Sequence, residues 1–255
     1  MPTICSIMED FVSKQSRRAF LTAAVAVPTT AAVIGLTGGT AHAAKHQWPS
    51  TPLQIGSSGA HVTALQIRIA GHPGYNAILA TDGSFGQLTH DAVRRFQSAY
   101  GLGVDGVAGP ATFGKLSSLE SADQTPIHFE FSEFLSRCDP NNFCGGKVDC
   151  ATAKENARRT MWKLEAMRHA LGDRPINISS GFRSSGCNAA VGGASNSRHM
   201  YGDAADLVGS HSFCVLSRQA RNHGFRQILG PGYPGHNDHV HVASGGSTWS
   251  APNCM

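Results

Sequence analysis

The stretch "SRHMYGDAAD", residues 197–206, sets His199 and Asp206 seven positions apart, with Gly202, Ala204 and Ala205 between them. Residues this small let a backbone come close to something without blocking it. Farther along, "GHNDHVHVA" fills residues 235–243. Alternation along a strand over residues 239–243 puts His239 and His241 on one face. Two imidazoles side by side in a core would each need hydrogen-bond partners. A metal ion removes that demand. Zinc accepts imidazole nitrogen and carboxylate oxygen, and its catalytic sites use three protein ligands with one position left for water. Two histidines and one aspartate make such a set.

The elements around these stretches predict an α+β fold. A helix is expected over residues 151–171, where Ala157, Met161, Leu164, Met167 and Leu171 line one face and Gly172 ends it. Residues 175–179 alternate like a strand. Residues 213–223 read as a second helix stopped by Gly224, and 225–229 and 239–243 as strands. Helices first, then strands in mixed order with short turns, argue for α+β.

Residues 53–119 read differently. Two turns share the pattern D-G-x-x-G-x-x-T, the first beginning at Asp82 and the second at Asp105. Asp and the first Gly make a tight turn, the second Gly permits left-handed geometry, and Thr lies near the start of the next helix. Ala92, Val93, Phe96 and Tyr100 then fall at helical spacing, and Phe113, Leu116 and Leu119 line a last helix. Helices joined by such turns must pack their apolar stripes together, which predicts a small three-helix bundle.

The first 44 residues read as an export segment. Arg17-Arg18 precede an apolar run broken by Pro28 and Gly35, and Ala41-His42-Ala43 supplies an A-x-A cleavage site. This resembles a twin-arginine signal. Cysteine usage agrees. Of seven cysteines, Cys5 leaves with the signal, and none lies between residues 44 and 137. The remaining Cys138, Cys144, Cys150, Cys187, Cys214 and Cys254 imply up to three disulfides in the second half, and counting alone leaves 15 pairings open. Cys144 and Cys150 are close enough to close a small loop. The formal net charge of +4 lacks the dense basic stripes of a nucleic-acid protein, and no later stretch is long and apolar enough to cross a membrane.

The spacing His199-x-x-Gly202-x-Ala204-x-Asp206, followed by Asp238-His239-x-His241, resembles the zinc D-alanyl-D-alanine carboxypeptidases, whose fold is shared with D-Ala-D-Ala dipeptidases and the hedgehog signalling domain. The similarity continues through "GGASNSRHMYG", "ARNHGF" and "ILGPGYPGHNDH". Residues 53–119, with "AVRRFQSAYGLGVDGVAGPAT", resemble the peptidoglycan-binding domain of bacterial wall hydrolases.

The resemblance implies a mainly antiparallel sheet, one Zn2+ per chain, and His199, Asp206 and His241 as its ligands. It implies Asp238 as general base; strand alternation would turn Asp238 away from the ligand face and leave His239 as the rival. In the first case His239 meets the substrate or the developing oxyanion. Arg183, in "SSGFRSSGC", carries over as a group near the scissile carbonyl or the substrate carboxylate, where a fork of donors suits either role. The resemblance also favours the pairings Cys138–Cys187 and Cys214–Cys254.

The expected organisation is a signal over 1–44, a linker over 45–52, a peptidoglycan-binding domain over 53–120, a second linker over 121–126 and a zinc peptidase domain over 127–255. The expected activity is hydrolysis of the C-terminal D-Ala-D-Ala bond of wall stem peptides by a secreted, monomeric enzyme. The alternatives are a zinc endopeptidase cutting cross-bridges and a non-catalytic wall-binding module with a structural metal. A serine mechanism is disfavoured, because no S-x-x-K stands beside a K-T-G element.

Overall fold

Each repeated turn of the first half is closed by one buried glutamine. Gln66 accepts from the Gly83 amide and donates to Asp82, the Ser84 carbonyl and Thr89. Gln97 does the same in the second copy, accepting from the Asp105 and Gly106 amides and donating to Asp105, the Val107 carbonyl and Thr112. The left-handed residue is the first glycine of each motif, Gly83 or Gly106, with φ of 73° and 76°. The expectation for the second glycine is corrected: Gly86 and Gly109 are extended and precede the following helix.

These observations come from a computed structural model that describes residues 44–139 and 142–254. The export signal expected over 1–44 lies, except for its last residue, outside the described residues. The turns connect α1 (Ala60–Arg68), α2 (Gln87–Ala99) and α3 (Pro110–Ser118). On α2 the buried positions Thr89, Ala92, Val93, Phe96 and Gln97 form one stripe at helical spacing. It packs with Val62, Leu65, Ile69, Phe113 and Leu116 into one core. Residues 45–52 lie along this core rather than away from it. Lys45 donates to the Ser117 carbonyl, and the Trp48 ring stacks on Phe113 at 4.7 Å.

The second half is built on α4 (Cys150–Ala170), capped by Asp149, whose side chain accepts from the Thr152 amide. Gly172, with φ 77°, follows its end. One face of α4 enters the core formed with the sheet, through Ala157, Met161, Leu164 and Met167. Its opposite face is buried too. Trp162 joins the core of the helical half, and Gly71 lies so close that an added Cβ would sit 2.5 Å from that of Ala166. A helix covered on two sides must bury charged residues as well. Lys163 therefore donates to the Gly224 carbonyl and to Ser244, each at 2.8 Å, and burial lowers its pKa to about 8.

Beyond α4, among the described residues, come β1 (Asn177–Ser180), α5 (Ser185–Ala190), β2 (Ala204–Val208), α6 (Phe213–Ala220), β3 (Gln227–Leu229), β4 (Val240–Ala243) and β5 (Trp249–Ser250). The strands form one sheet in the order β1-β2-β4-β3-β5. All neighbours are antiparallel except β3 and β5. The architecture is therefore α+β with a mainly antiparallel sheet. Cys138–Cys187, Cys144–Cys150 and Cys214–Cys254 are bonded. No helix among the described residues is long and apolar enough to cross a membrane.

Candidate metal centre

Asp206 and His241 are direct cross-strand partners at the centre of the sheet, on β2 and β4. Opposed residues of an antiparallel pair point to the same face, so the register alone brings the carboxylate and the imidazole together. His199 arrives from outside the sheet, on the 3-10 turn Arg198–Tyr201. That turn ends at Gly202, φ 75°, where a Cβ would collide with the carbonyl oxygen of Ala153 on α4. The small residue between the two ligand candidates is thus required by the helix behind it. The Lys147 amide and the Asn156 side chain bond the Met200 and Tyr201 carbonyls and hold the turn in place.

All three side chains are buried, and their ligand atoms lie within 4.8 Å of one another. His199 Nε2 is 3.1 Å from Asp206 Oδ1 and 3.1 Å from His241 Nδ1, which is itself 3.0 Å from Asp206 Oδ1. The outer ring nitrogens are occupied. His199 Nδ1 meets the Gly181 carbonyl at 2.5 Å, and His241 Nε2 meets Gln227 Oε1 at 3.2 Å. A carbonyl oxygen can only accept, so each outer nitrogen carries the hydrogen and each inner nitrogen presents a lone pair. Two lone pairs and a carboxylate oxygen then face one another without a shared proton. A divalent cation resolves that conflict, and two imidazoles with one carboxylate are a donor set that zinc takes.

Burial lowers the pKa of His241, which keeps the ring neutral as a ligand requires.

Arg183 reaches the same group. Its Nη2 donates to Asp206 Oδ2 at 2.7 Å and its Nε to Ser180 Oγ at 2.8 Å. The loop that carries it is fixed from several sides. Phe182 donates to the Phe134 carbonyl, Ser184 to Asp139, and Cys187 is bridged to Cys138.

His239 lies just before β4, not inside it, so the strand expected over 239–243 is one residue shorter. Its Nε2 still comes within 3.8 Å of Asp206 Oδ1. Asp238 sits in the preceding bend with its side chain 88 % exposed, and its Oδ1 is 2.8 Å from His239 Nδ1. That bond holds the Asp238 pKa below its ordinary value.

Sequence reasoning did not single out Gln227 or the Gly181 carbonyl, which set the two ring orientations. A glutamine on a strand carries no motif, and a backbone carbonyl leaves no trace in composition. A second grouping of ligand-type side chains, Cys138, Asp139 and Cys187, is accounted for by the disulfide and by the bond from Ser184.

Residues 127–243 match the peptidase M15 family and residues 58–116 a peptidoglycan binding domain family. The zinc D-Ala-D-Ala carboxypeptidase of Streptomyces albus G is 59% identical over 233 residues, covering 91% of this chain and 90% of that protein. Among solved structures, a peptidoglycan-binding protein from Clostridioides difficile is 44% identical, covering 27% of this chain and 41% of its own, with a TM-score of 0.24. The SleB N-terminal domain is 38% identical, covering 28% of this chain and 96% of that one, with a TM-score of 0.26. With nearly its whole length aligned to the Streptomyces enzyme, the chain belongs to the peptidase M15 family of zinc D-Ala-D-Ala carboxypeptidases.

Proposed function

We propose that this protein is a zinc DD-carboxypeptidase that hydrolyses the C-terminal D-Ala-D-Ala bond of peptidoglycan stem peptides. Residues 53–120 hold the enzyme on the wall. The observation that carries the reading is the convergence of His199 Nε2, His241 Nδ1 and Asp206 Oδ1 in a buried site with their lone pairs turned inward. These three residues are the proposed ligands. Zinc bound there supplies a Lewis acid and a water whose pKa is lowered toward ~7.

The remaining roles belong to side chains around that set. Asp238 is the proposed base for the attacking water. His239 gives its Nδ1 hydrogen to Asp238 at 2.8 Å and turns its Nε2 toward the cluster, where the ring in its imidazolium form can donate to the developing oxyanion. The proton then passes from Asp238 to the leaving D-alanine amine. Arg183 keeps Asp206 oriented through Oδ2 and brings a permanent positive charge to the edge of the site, suited to the substrate carbonyl or its terminal carboxylate. The proposed setting is the cell wall, reached by export through a twin-arginine signal over 1–44, with the enzyme acting as a monomer.

The test is D-alanine release from a pentapeptide ending in D-Ala-D-Ala. Release is expected to vanish with chelator and return with zinc. Release indifferent to chelator, or cleavage confined to cross-linked dimers, overturns the proposal.

A further inference from the structure

His241 has two ring nitrogens and only one can serve a metal. The sheet decides which. β3 and β4 pair with Leu229 opposite His241 and Gln227 opposite Ala243. Opposed residues share a face, and the diagonal neighbour two positions along is still within reach of a long side chain. Gln227 is that diagonal neighbour. Its own partner, Ala243, is only a methyl group, so the glutamine can lie across it toward the imidazole. It arrives with Oε1 3.2 Å from His241 Nε2, while Nδ1 of the same ring faces Asp206 and His199.

The chain passes close to this amide. At Gly246, φ 77°, a Cβ would sit 3.0 Å from the Gln227 Cβ and 3.2 Å from its amide carbon and nitrogen. Only a glycine allows that close approach. Gln227 is half-buried and anchored on a strand, and the chain at Gly246 leaves no room beside it for a further side chain.

We propose that Gln227 is a positioning residue for the metal centre: by accepting the Nε2 hydrogen of His241, it fixes the tautomer and ring angle that present Nδ1 to zinc. Outer partners of metal-bound histidines commonly do this, and their loss weakens metal affinity about 10- to 100-fold. The proposal rests on the reading of His241 as a ligand, and the two are tested by different variants.

The experiment is zinc affinity of the full chain, measured by competition with a chromophoric chelator, for wild type, Gln227→Leu, Gln227→Glu and His241→Ala. Gln227→Leu keeps the bulk and removes the acceptor, and is expected to weaken zinc about 10- to 100-fold. Gln227→Glu keeps an acceptor oxygen, and is expected to bind at least as tightly as wild type. Nitrogen-15 NMR of the zinc-free full chain supplies a readout that a merely structural role would not move, because bound zinc would itself fix the tautomer. The His241 resonances should report hydrogen on Nε2 in wild type and in Gln227→Glu, and hydrogen shared between Nε2 and Nδ1 in Gln227→Leu.

Unchanged affinity in a folded Gln227→Leu overturns the positioning role. Should that variant fail to fold, weakened binding in Gln227→Glu, or hydrogen on Nδ1 of His241 in the wild type, overturns it equally. Full zinc retention by His241→Ala overturns instead the assignment of His241 as a ligand.

Discussion

The two halves of the molecule hold their turns by different chemistry. In the helical half, Gln66 and Gln97 reach from a helix into a short glycine turn and satisfy its backbone groups. In the α+β half the loops are long and rich in Gly, Ser and Asn. Disulfides do the holding there, across 49 residues for Cys138–Cys187 and 40 for Cys214–Cys254. Local order is secured by hydrogen bonds within one turn, whereas a catalytic loop must be tied to a distant segment. Of the three bridges, Cys138–Cys187 ties the loop that carries Arg183 to a distant segment, while Cys144–Cys150 spans only six residues.

The largest effect that could break this contrast comes from replacing Cys138 and Cys187 together by serine. In the chain-entropy picture a loop of this length contributes about 4 kcal/mol. The loss should appear in denaturant unfolding of the α+β half. D-alanine release should fall with it, because Arg183 rides on the loop that the bridge restrains. A double variant with wild-type stability and activity would show that the hydrogen bonds of Phe182 and Ser184 suffice.

A somewhat smaller effect is expected in the other half. Gln97→Leu leaves the Asp105 and Gly106 amides and Thr112 without their partner. Stranded buried polar groups cost about 1–3 kcal/mol each, and water can reach part of this turn, so a loss of about 3 kcal/mol is expected. Gln66→Leu should behave alike, since its contacts repeat those of Gln97. A shift in the denaturation midpoint worth under about 0.5 kcal/mol, typical of ordinary surface positions, would mean that the Asp-Gly turns hold themselves.

The same contrast explains what could be read from residues alone. The D-G-x-x-G-x-x-T echo was visible because turn chemistry is local. The glutamines that complete it were not, since they stand at different distances before their turns, 17 residues to Gly83 and 9 to Gly106. The site-forming segments were visible because histidine and aspartate at such spacings are chemically conspicuous. The outer partners of their rings were invisible, because a glutamine on β3 and a carbonyl at Gly181 become meaningful only through sheet register and loop path. On α4 the face toward the sheet was legible as an apolar stripe. The opposite face was not, because Trp162 and Ala166 stand there beside Lys163 and Glu165, all buried. Docking of the helical half covers Trp162 and Ala166, while Lys163 turns back to Gly224 and Ser244 of its own half.

That docking gives the smallest of the expected effects and the one most specific to the junction. His72 is buried beside Phe96 and Tyr100, at ring distances of 5.3 and 6.1 Å. Burial lowers its pKa to about 3, with His223, His169 and Arg95 acting in the same direction. His223, whose Nδ1 meets the Gly71 carbonyl at 2.8 Å, is lowered by burial as well. The folded protein therefore keeps His72 neutral, while the unfolded chain takes up a proton near pH 6.5. Stability contributed by this group is complete above pH 6.5 and is lost as pH falls from there toward 3. Between pH 7 and pH 5 the wild type should lose about 1–2 kcal/mol through His72 alone. His72→Leu removes the titrating ring, so its unfolding free energy should fall less over the same interval. Equal slopes in the two proteins would show that His72 can be protonated without parting the halves.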